Sequence, residues 1–362
     1  MTLPAPGLLR AAGAALGQMA DRSTPFIKDE WYVIAFANEL GRVLLKRTVL
    51  GQRLVLFRTK AGQPVALADR CAHRSFPLSA GTLDGDTIIC GYHGLRYDSS
   101  GDCIEIPSQK TCPKGIGVRV FPLVERGPLV WGWLGDAPAD IARIPATPWL
   151  ADPDWPSSRG YFHLPGNYVS LHENLLDLTH LSYVHAKSFG TPDYVSAPYE
   201  TSCEEGHYRI TRRVAPTRLP PVWAKPAGLE HDHGARIATS EFVSPGLHVV
   251  SATFYDYKLP AAGRPEFTIR TCHMPTPETH GSTHYFIVHS RGFAQQDASV
   301  TDFMHQELFA AFREDVAALS QLEEVLASPG DPFYEISIAS DAPAVAMRRY
   351  LLKRALVEQQ HL

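Results

Sequence analysis

Short apolar runs broken by turn residues dominate the first third of the chain. Arg53–Arg58, Val65–Ala68, Thr87–Cys90 and Val130–Trp133 are β-prone, and Gly62-Gln63-Pro64 separates the first two. This pattern predicts a series of short strands from Trp31 to about Leu134. Pro138–Pro156, with Pro145, Pro148, Pro153 and Pro156, reads as a linker. The pattern then changes. Leu171, Leu175, Leu178 and Leu181 recur at helical spacing and predict a helix over Leu171–His185. Strand-like runs follow at Tyr208–Val214, Arg236–Val243, His248–Tyr257, Glu266–His273 and His284–His289. Two long helical patterns, Asp302–Ala327 and Val345–Glu358, close the chain. Strands followed by helices predict an α+β second domain built on an antiparallel sheet.

Length and composition add limits. A chain of 362 residues exceeds the usual single core, so two domains are expected, at 26–142 and 143–362, after an extension of residues 1–25. Leu8–Ala20 is apolar, but Arg10 interrupts it and no lysine or arginine precedes Arg10. The extension therefore reads as frayed or weakly helical rather than as a cleaved signal. No segment approaches transmembrane length. A formal net charge of −4 gives no support for a nucleic-acid or anionic-membrane partner. Six cysteines are too few for a disulfide scaffold in this length. They fit a reducing, cytoplasmic compartment in which a few serve as metal ligands.

Two short mixed pairs stand out, Cys71-Ala-His73 and Cys90-Gly-Tyr-His93, with sixteen residues between them. Two thiolates on one iron and two imidazoles on the other would make an asymmetric [2Fe–2S] cluster, whose neutral ligands raise its potential above that of an all-cysteine cluster. Pro77, Gly81, Gly91 and Gly94 allow a tight turn in which amide N–H groups reach the sulfurs. A structural zinc site is the competing reading, but it would normally place a cysteine pair before a histidine pair. Cys103 and Cys112 lie outside both loops and read as ordinary thiols.

The second constellation runs from Asn174 through Asp177 and His180 to His185. Residues five apart stand about 140° apart on an ideal helix, so one metal can take both histidines only if the helix ends or distorts. Asp177, one turn before His180, could hold that imidazole's free N–H with its carboxylate. A third ligand is sought on the long helix. There the apolar stripe is Leu308, Phe312, Leu319, Leu322 and Leu326, and Asp315 falls inside it. A carboxylate aimed at a core costs several kcal/mol unless paired or metal-bound. Glu314 and Glu323 lie off the stripe and read as solvated. Asp315 thus completes a candidate two-histidine, one-carboxylate site with open positions for dioxygen on Fe(II).

Cys71-Ala-His73-Arg74 with Cys90-Gly-Tyr-His93-Gly94 resembles the oxygenase branch of the Rieske family. Trp31-Tyr-Val, Asn174 through His185 and Phe312-Arg-Glu-Asp315 extend the resemblance to the vanillate O-demethylase and dicamba monooxygenase subgroup. It implies an N-terminal all-β Rieske domain, a helix-grip catalytic domain and a head-to-tail homotrimer. In such a trimer His93 would face Asp177 of the next subunit, bridging to His180. The respiratory branch's extra cysteines are replaced by Phe76 and Tyr92. Without that disulfide, and with few hydroxyl donors in the loops, a potential of about −150 mV is expected. His273 matches a substrate-contacting histidine of the subgroup, although it could equally be a satisfied strand histidine. Gln306 stands where a substrate-packing tryptophan is found, which implies a different pocket. The implied activity is hydroxylation or O-demethylation of an aromatic, carboxylated compound. A cis-dihydroxylating dioxygenase and a non-enzymatic Rieske electron carrier are the alternatives. Gly115-Ile-Gly117 lacks the third glycine of a dinucleotide fingerprint, so an NAD(P)H-dependent reductase must be a separate chain, acting directly or through a ferredoxin.

Overall fold

The computed structural model describes residues 24–229, 231–328 and 335–360. Most of the N-terminal extension, residues 1–23, lies outside them. Contacts divide the chain into two compact units. Among the described residues no helix is long and apolar enough to cross a membrane.

The smaller unit comprises residues 28–144 and Thr276–Thr279. Its strands are β1 (Trp31–Phe36), β2 (Leu45–Val49), β3 (Gln52–Arg58), β4 (Pro64–Ala68), β5 (Thr82–Asp84), β6 (Thr87–Ile89), β7 (Arg96–Tyr97), β8 (Cys103–Glu105), β9 (Leu123–Arg126) and β10 (Leu129–Trp133). They form antiparallel sheets in the orders β1-β10-β9, β2-β3-β4 and β5-β6-β7-β8. All six residues of β1 are buried, which explains its unbroken apolar run. Val55, Phe57, Leu67, Leu78 and Ile88 pack into one core with Cys71 and Cys90. A distant piece of chain completes the unit. Thr276 Oγ1 donates to the Val33 carbonyl at 2.6 Å, and the Leu50 N–H donates to the Pro277 carbonyl at 2.7 Å.

The larger unit comprises residues 145–275 and 280–360, with 24–27. Its strands are β11 (Ser157–Leu164), β12 (Tyr199–Glu204), β13 (His207–Thr217), β14 (Gly234–Ser244), β15 (Leu247–Asp256), β16 (Phe267–Thr279) and β17 (Ser282–Arg291). They make one antiparallel sheet, ordered β11-β17-β16-β15-β14-β13-β12. The α-helices are α1 (Tyr168–Leu176), α2 (Pro221–Ala227), α3 (Ala298–Ala327) and α4 (Ala342–Gln360). The α+β expectation holds. All five expected strands are present, and the two that the pattern missed, β11 and β12, are the edges of the sheet. An edge strand can leave its face to solvent: five of the six residues of β12 are exposed, so no alternation marks it.

Helix α3 corrects three details of the expected stripe. Leu308, Phe312, Asp315 and Leu319 are buried, but Leu322 is 41% exposed and Glu323 is buried instead. The buried line therefore continues at Glu323, four residues after Leu319, rather than at Leu322. Glu314 is not merely solvated; its partner is described below. At its other end α3 crosses β11 at Gly160, where an added Cβ would lie 1.9 Å from Phe309 Cε1. Gly160→Ala should therefore destabilise the protein by about 1–3 kcal/mol through overpacking. A denaturation midpoint equal to that of the unaltered chain would contradict this.

Candidate metal centres

The two cysteine loops of the smaller unit are built alike. The Cys71 N–H donates to the Phe76 carbonyl and the Ser75 N–H to the Cys71 carbonyl, at 2.8 and 3.0 Å. The Cys90 N–H donates to the Leu95 carbonyl and the Gly94 N–H to the Cys90 carbonyl, again at 2.8 and 3.0 Å. Each turn buries its cysteine and exposes its histidine. The two imidazoles meet with ring centroids 4.6 Å apart, and the two thiols lie within hydrogen-bonding reach of one another. Cys103 and Cys112 are free thiols outside this pair of turns.

Hydrogen bonds to the sulfurs are more numerous than the loop sequences suggest. Burial opposes the Cys71 thiolate, but the Tyr97 hydroxyl and the N–H groups of His73 and Arg74 favour it, and its pKa falls. Cys90 receives N–H groups from Tyr92 and His93, yet burial dominates there and raises its pKa. Tyr97 Oη lies 3.2 Å from Cys71 Sγ and accepts from the Ala72 N–H at 3.1 Å. With its lone pair so engaged, the hydroxyl is placed to donate to sulfur. Tyr97 sits on β7, outside both loops, where a reading confined to the loops could not find it.

The second group forms where a helix stops. Asn167 caps α1 by accepting from the Val169 N–H at 2.8 Å. The expected helix through His185 ends instead at Leu176. Asp177 is extended, and its carboxylate accepts from the Thr179 N–H at 2.9 Å and from the Thr179 hydroxyl, starting a short 3₁₀ turn at Leu178–Ser182. Asp and Thr compete in this way with helical hydrogen bonding. Ser240 Oγ donates to the freed Leu175 carbonyl at 2.6 Å. The chain then closes on itself, with the Gly190 N–H donating to the His185 carbonyl at 2.9 Å.

The result brings His180 and His185 to Asp315 of α3, with one ligand atom from each inside a 4.8 Å span. Asp315 Oδ1 lies 3.1 Å from His185 Nε2 and 3.6 Å from His180 Nε2, and it accepts from Asn174 Nδ2 at 3.1 Å. Each imidazole is turned by its other nitrogen. His180 Nδ1 meets the Asp177 main-chain carbonyl, not the expected carboxylate, which is occupied by Thr179. His185 Nδ1 meets Glu314 Oε2 at 2.7 Å, and Ser188 Oγ donates to the same oxygen at 2.8 Å. Placing Nδ1–H outward leaves both Nε2 lone pairs facing Asp315, as metal ligation requires. Glu314 and Ser188 were not legible as site residues, because a glutamate off the apolar stripe normally points to water.

Electrostatics fit a cation at this point. Burial pulls the His180 pKa down. Burial acts the same way on His185, but the hydrogen bond and charge of Asp315 outweigh it and raise its pKa. Burial opposes the Asp315 carboxylate, yet His185, His180 and Asn174 hold its pKa below the usual range. A proton and a metal therefore compete for the same lone pairs. A narrow cavity of about 50 Å³ reaches all three groups and is walled by Leu175, Ala252, Ile269 and Leu308 among others. His273 lines it, with Nδ1 2.5 Å from Tyr285 Oη, and burial pushes its pKa down to about 3, so it is neutral. Gln306 is exposed on α3 and is not part of the wall.

The chain is similar to known proteins. Residues 30–122 match the Rieske [2Fe-2S] domain, and residues 164–357 match the vanillate O-demethylase oxygenase C-terminal domain. The iron-sulfur subunit of the toluene-4-sulfonate monooxygenase system of Comamonas testosteroni is 33% identical, over 91% of this chain and 97% of its own. A vanillate O-demethylase oxygenase subunit of Pseudomonas sp. (strain ATCC 19151) is 32% identical, over 86% of this chain and 96% of its own. A crystal structure of dicamba monooxygenase bound to 3,6-dichlorosalicylic acid superposes with a TM-score of 0.85 at 30% identity, covering 92% of this chain and 99% of that one.

Two expected outcomes follow from the geometry. Removing the Tyr97 hydroxyl (Tyr97→Phe) should lower the cluster's midpoint potential by about 40 mV, the one-electron equivalent of a hydrogen bond of about 1 kcal/mol. Redox titration reads this directly, and an unchanged potential would remove Tyr97 from the cluster's environment. At Gly190 an added Cβ would lie 1.7 Å from the Leu181 carbonyl oxygen and 2.9 Å from that of His185. Gly190→Ala should therefore displace the segment carrying both histidines and weaken divalent-metal binding, measured by metal titration. Unaltered affinity would show that the turn yields without moving them.

Proposed function

The chain belongs to the Rieske non-haem iron oxygenases, and from that premise we propose that it is a terminal oxygenase that hydroxylates or O-demethylates an aromatic acid. The observation that carries this reading is the convergence of two imidazole Nε2 atoms and one buried carboxylate oxygen on an apolar-walled cavity. We assign the [2Fe–2S] cluster to Cys71, His73, Cys90 and His93, and the mononuclear iron to His180, His185 and Asp315. When bound, these groups supply electron relay and dioxygen activation respectively. The residues around them orient and exclude. The Asp177 carbonyl and Glu314 turn the imidazoles, while Asn174 steadies Asp315. His273 offers its remaining nitrogen to a substrate.

Dicamba monooxygenase binds a chlorinated salicylic acid, and the toluene-4-sulfonate system is named for a sulfonated ring. An acid group on an aromatic ring is common to these two names. At about 50 Å³ the cavity is smaller than the roughly 150 Å³ that takes up benzene, so substrate entry requires wall side chains to move. Electrons come from a separate NAD(P)H-dependent reductase, directly or through a ferredoxin, in the cytoplasm. The proposed assembly is a head-to-tail homotrimer in which His93 of one subunit faces Asp177 of the next. The direct test of the activity is dioxygen uptake over methoxylated and carboxylated aromatics with a surrogate reductase and product mass spectrometry. No consumption with any of them would defeat the reading.

Asp315→Ala should abolish mononuclear iron binding while keeping the cluster's visible absorption. Iron analysis showing a full complement, with normal turnover, would move the third ligand elsewhere. Asp177→Asn retains an oxygen that can cap Thr179 but removes the charge. It should keep iron and a reducible cluster, yet reoxidise very slowly when the pre-reduced protein meets substrate and dioxygen. Cluster reoxidation at the unaltered rate would reduce Asp177 to a local cap.

A further inference from the structure

The cavity beside the metal group holds a second charge that the iron chemistry does not use. Arg236, on β14, is 5% exposed and lines the same cavity as His180, His185 and Asp315. A guanidinium taken out of water needs replacement hydrogen bonds or an anion. Its replacements are incomplete. The group lies over the rings of Tyr194 at 4.9 Å and Trp223 at 5.6 Å, with Phe189 and Phe254 each at 5.9 Å. These faces hold a cation in place but accept no N–H in the fork. One Nη1 reaches the Phe189 carbonyl at 3.5 Å, the outer limit of a hydrogen bond, and Nε has no partner. Among the described residues no carboxylate is in ion-pair contact with it, although the Asp193 charge acts on it from farther away.

Arg291 shows how a buried arginine looks when its role is structural. It is 2% exposed, and its donors go to the Phe293, Ala294 and Asp297 carbonyls and to Thr301 Oγ1 at 2.6–3.1 Å. Arg236 has the same burial without those acceptors, and it faces a cavity. His273, neutral in the same wall, cannot supply a charge.

We propose that Arg236 is the anion-recognition residue of the substrate pocket, binding an oxyanion substituent, carboxylate or sulfonate, on an aromatic ring. Its planar fork matches two such oxygens, and the surrounding rings keep that fork from turning away. Val250, Ala252, Ile269 and Leu308 offer the aromatic ring an apolar bed. Arg236 and Asp315 make no ion pair with one another, so the cavity keeps two separate opposite charges. An anionic substituent is drawn to the first and repelled by the second, which directs the rest of the ring toward the metal group. This inference rests on the oxygenase reading for its choice of pocket.

The test is calorimetric binding to the full-length, cluster- and iron-loaded protein of 4-methylbenzoate, toluene-4-sulfonate and the neutral 4-methylbenzamide. At least one anion should bind about 10- to 100-fold more tightly than the amide, the range expected of a charged hydrogen-bonded contact. R236M should lose that preference by weakening the anions far more than the amide, and R236K should retain only part of it. Which anion is preferred distinguishes a carboxylate from a sulfonate substrate. Equal binding of all three ligands, no binding of either anion, or an undiminished preference in a folded R236M would overturn the proposal. Should R236M fail to fold, the comparison of anions with the amide on the unaltered protein still decides. Because binding needs no turnover, anion preference without dioxygen uptake would uphold Arg236 and defeat the oxygenase reading, and uptake without anion preference would do the reverse.

Discussion

Asp315 places a carboxylate 3% exposed on the buried face of α3, between Phe312 and Leu319. A charge so placed is tolerated only where other groups replace its hydration. Three do so here: Asn174 from the last turn of α1, and His180 and His185 from the segment that follows. That demand explains why α1 must stop. A continuous helix would carry the two imidazoles to different sides, and Asp315 would keep at most one of them. The Asp177–Thr179 cap, the short 3₁₀ turn and the Gly190 closure are the local means by which one segment returns to the same carboxylate twice.

The two centres solve opposite problems. In the smaller unit the thiols are buried and the imidazoles exposed, so the sulfurs are shielded while the histidine edge is open to solvent. Repeated turns deliver N–H groups to both sulfurs, and Tyr97 adds a hydroxyl to one of them. In the larger unit the hard carboxylate is buried and the imidazoles are held from behind by a carbonyl and by Glu314. The first arrangement suits electrons that arrive and leave. The second suits a site that excludes water while leaving ligand positions open.

Beyond the metal group, the larger unit's core divides its charged residues by purpose. Arg291 is saturated by carbonyls and a hydroxyl, whereas Arg236 is held by aromatic faces and left with donors to spare. Burial alone does not separate the two. Acceptors and place together do: Arg212 is also buried with Nε and Nη2 unpartnered, but Arg236 alone of the three lines the cavity, where unspent N–H groups have the most to gain from an anion.

Much of this was legible along the chain because the signals are local. Cys71, His73, Cys90 and His93 stand out as candidates by spacing, since each pair lies within one turn of loop. Asp315 declares itself by phase, a carboxylate on an apolar stripe, and the angle between His180 and His185 on an ideal helix already required a break. The five strands recognised as strand-like runs are the interior ones of the sheet, and the edges β11 and β12 escaped notice. What tertiary structure alone decided are pairings between distant residues. Tyr97 reaches Cys71 across 26 positions, Glu314 reaches His185 across 129, and Thr276 completes a unit whose other strands end at Trp133. Sequence periodicity reports which face a residue presents and carries no record of what stands opposite. Hence a buried carboxylate could be read from the chain, while the partners that make its burial tolerable had to be found in the fold.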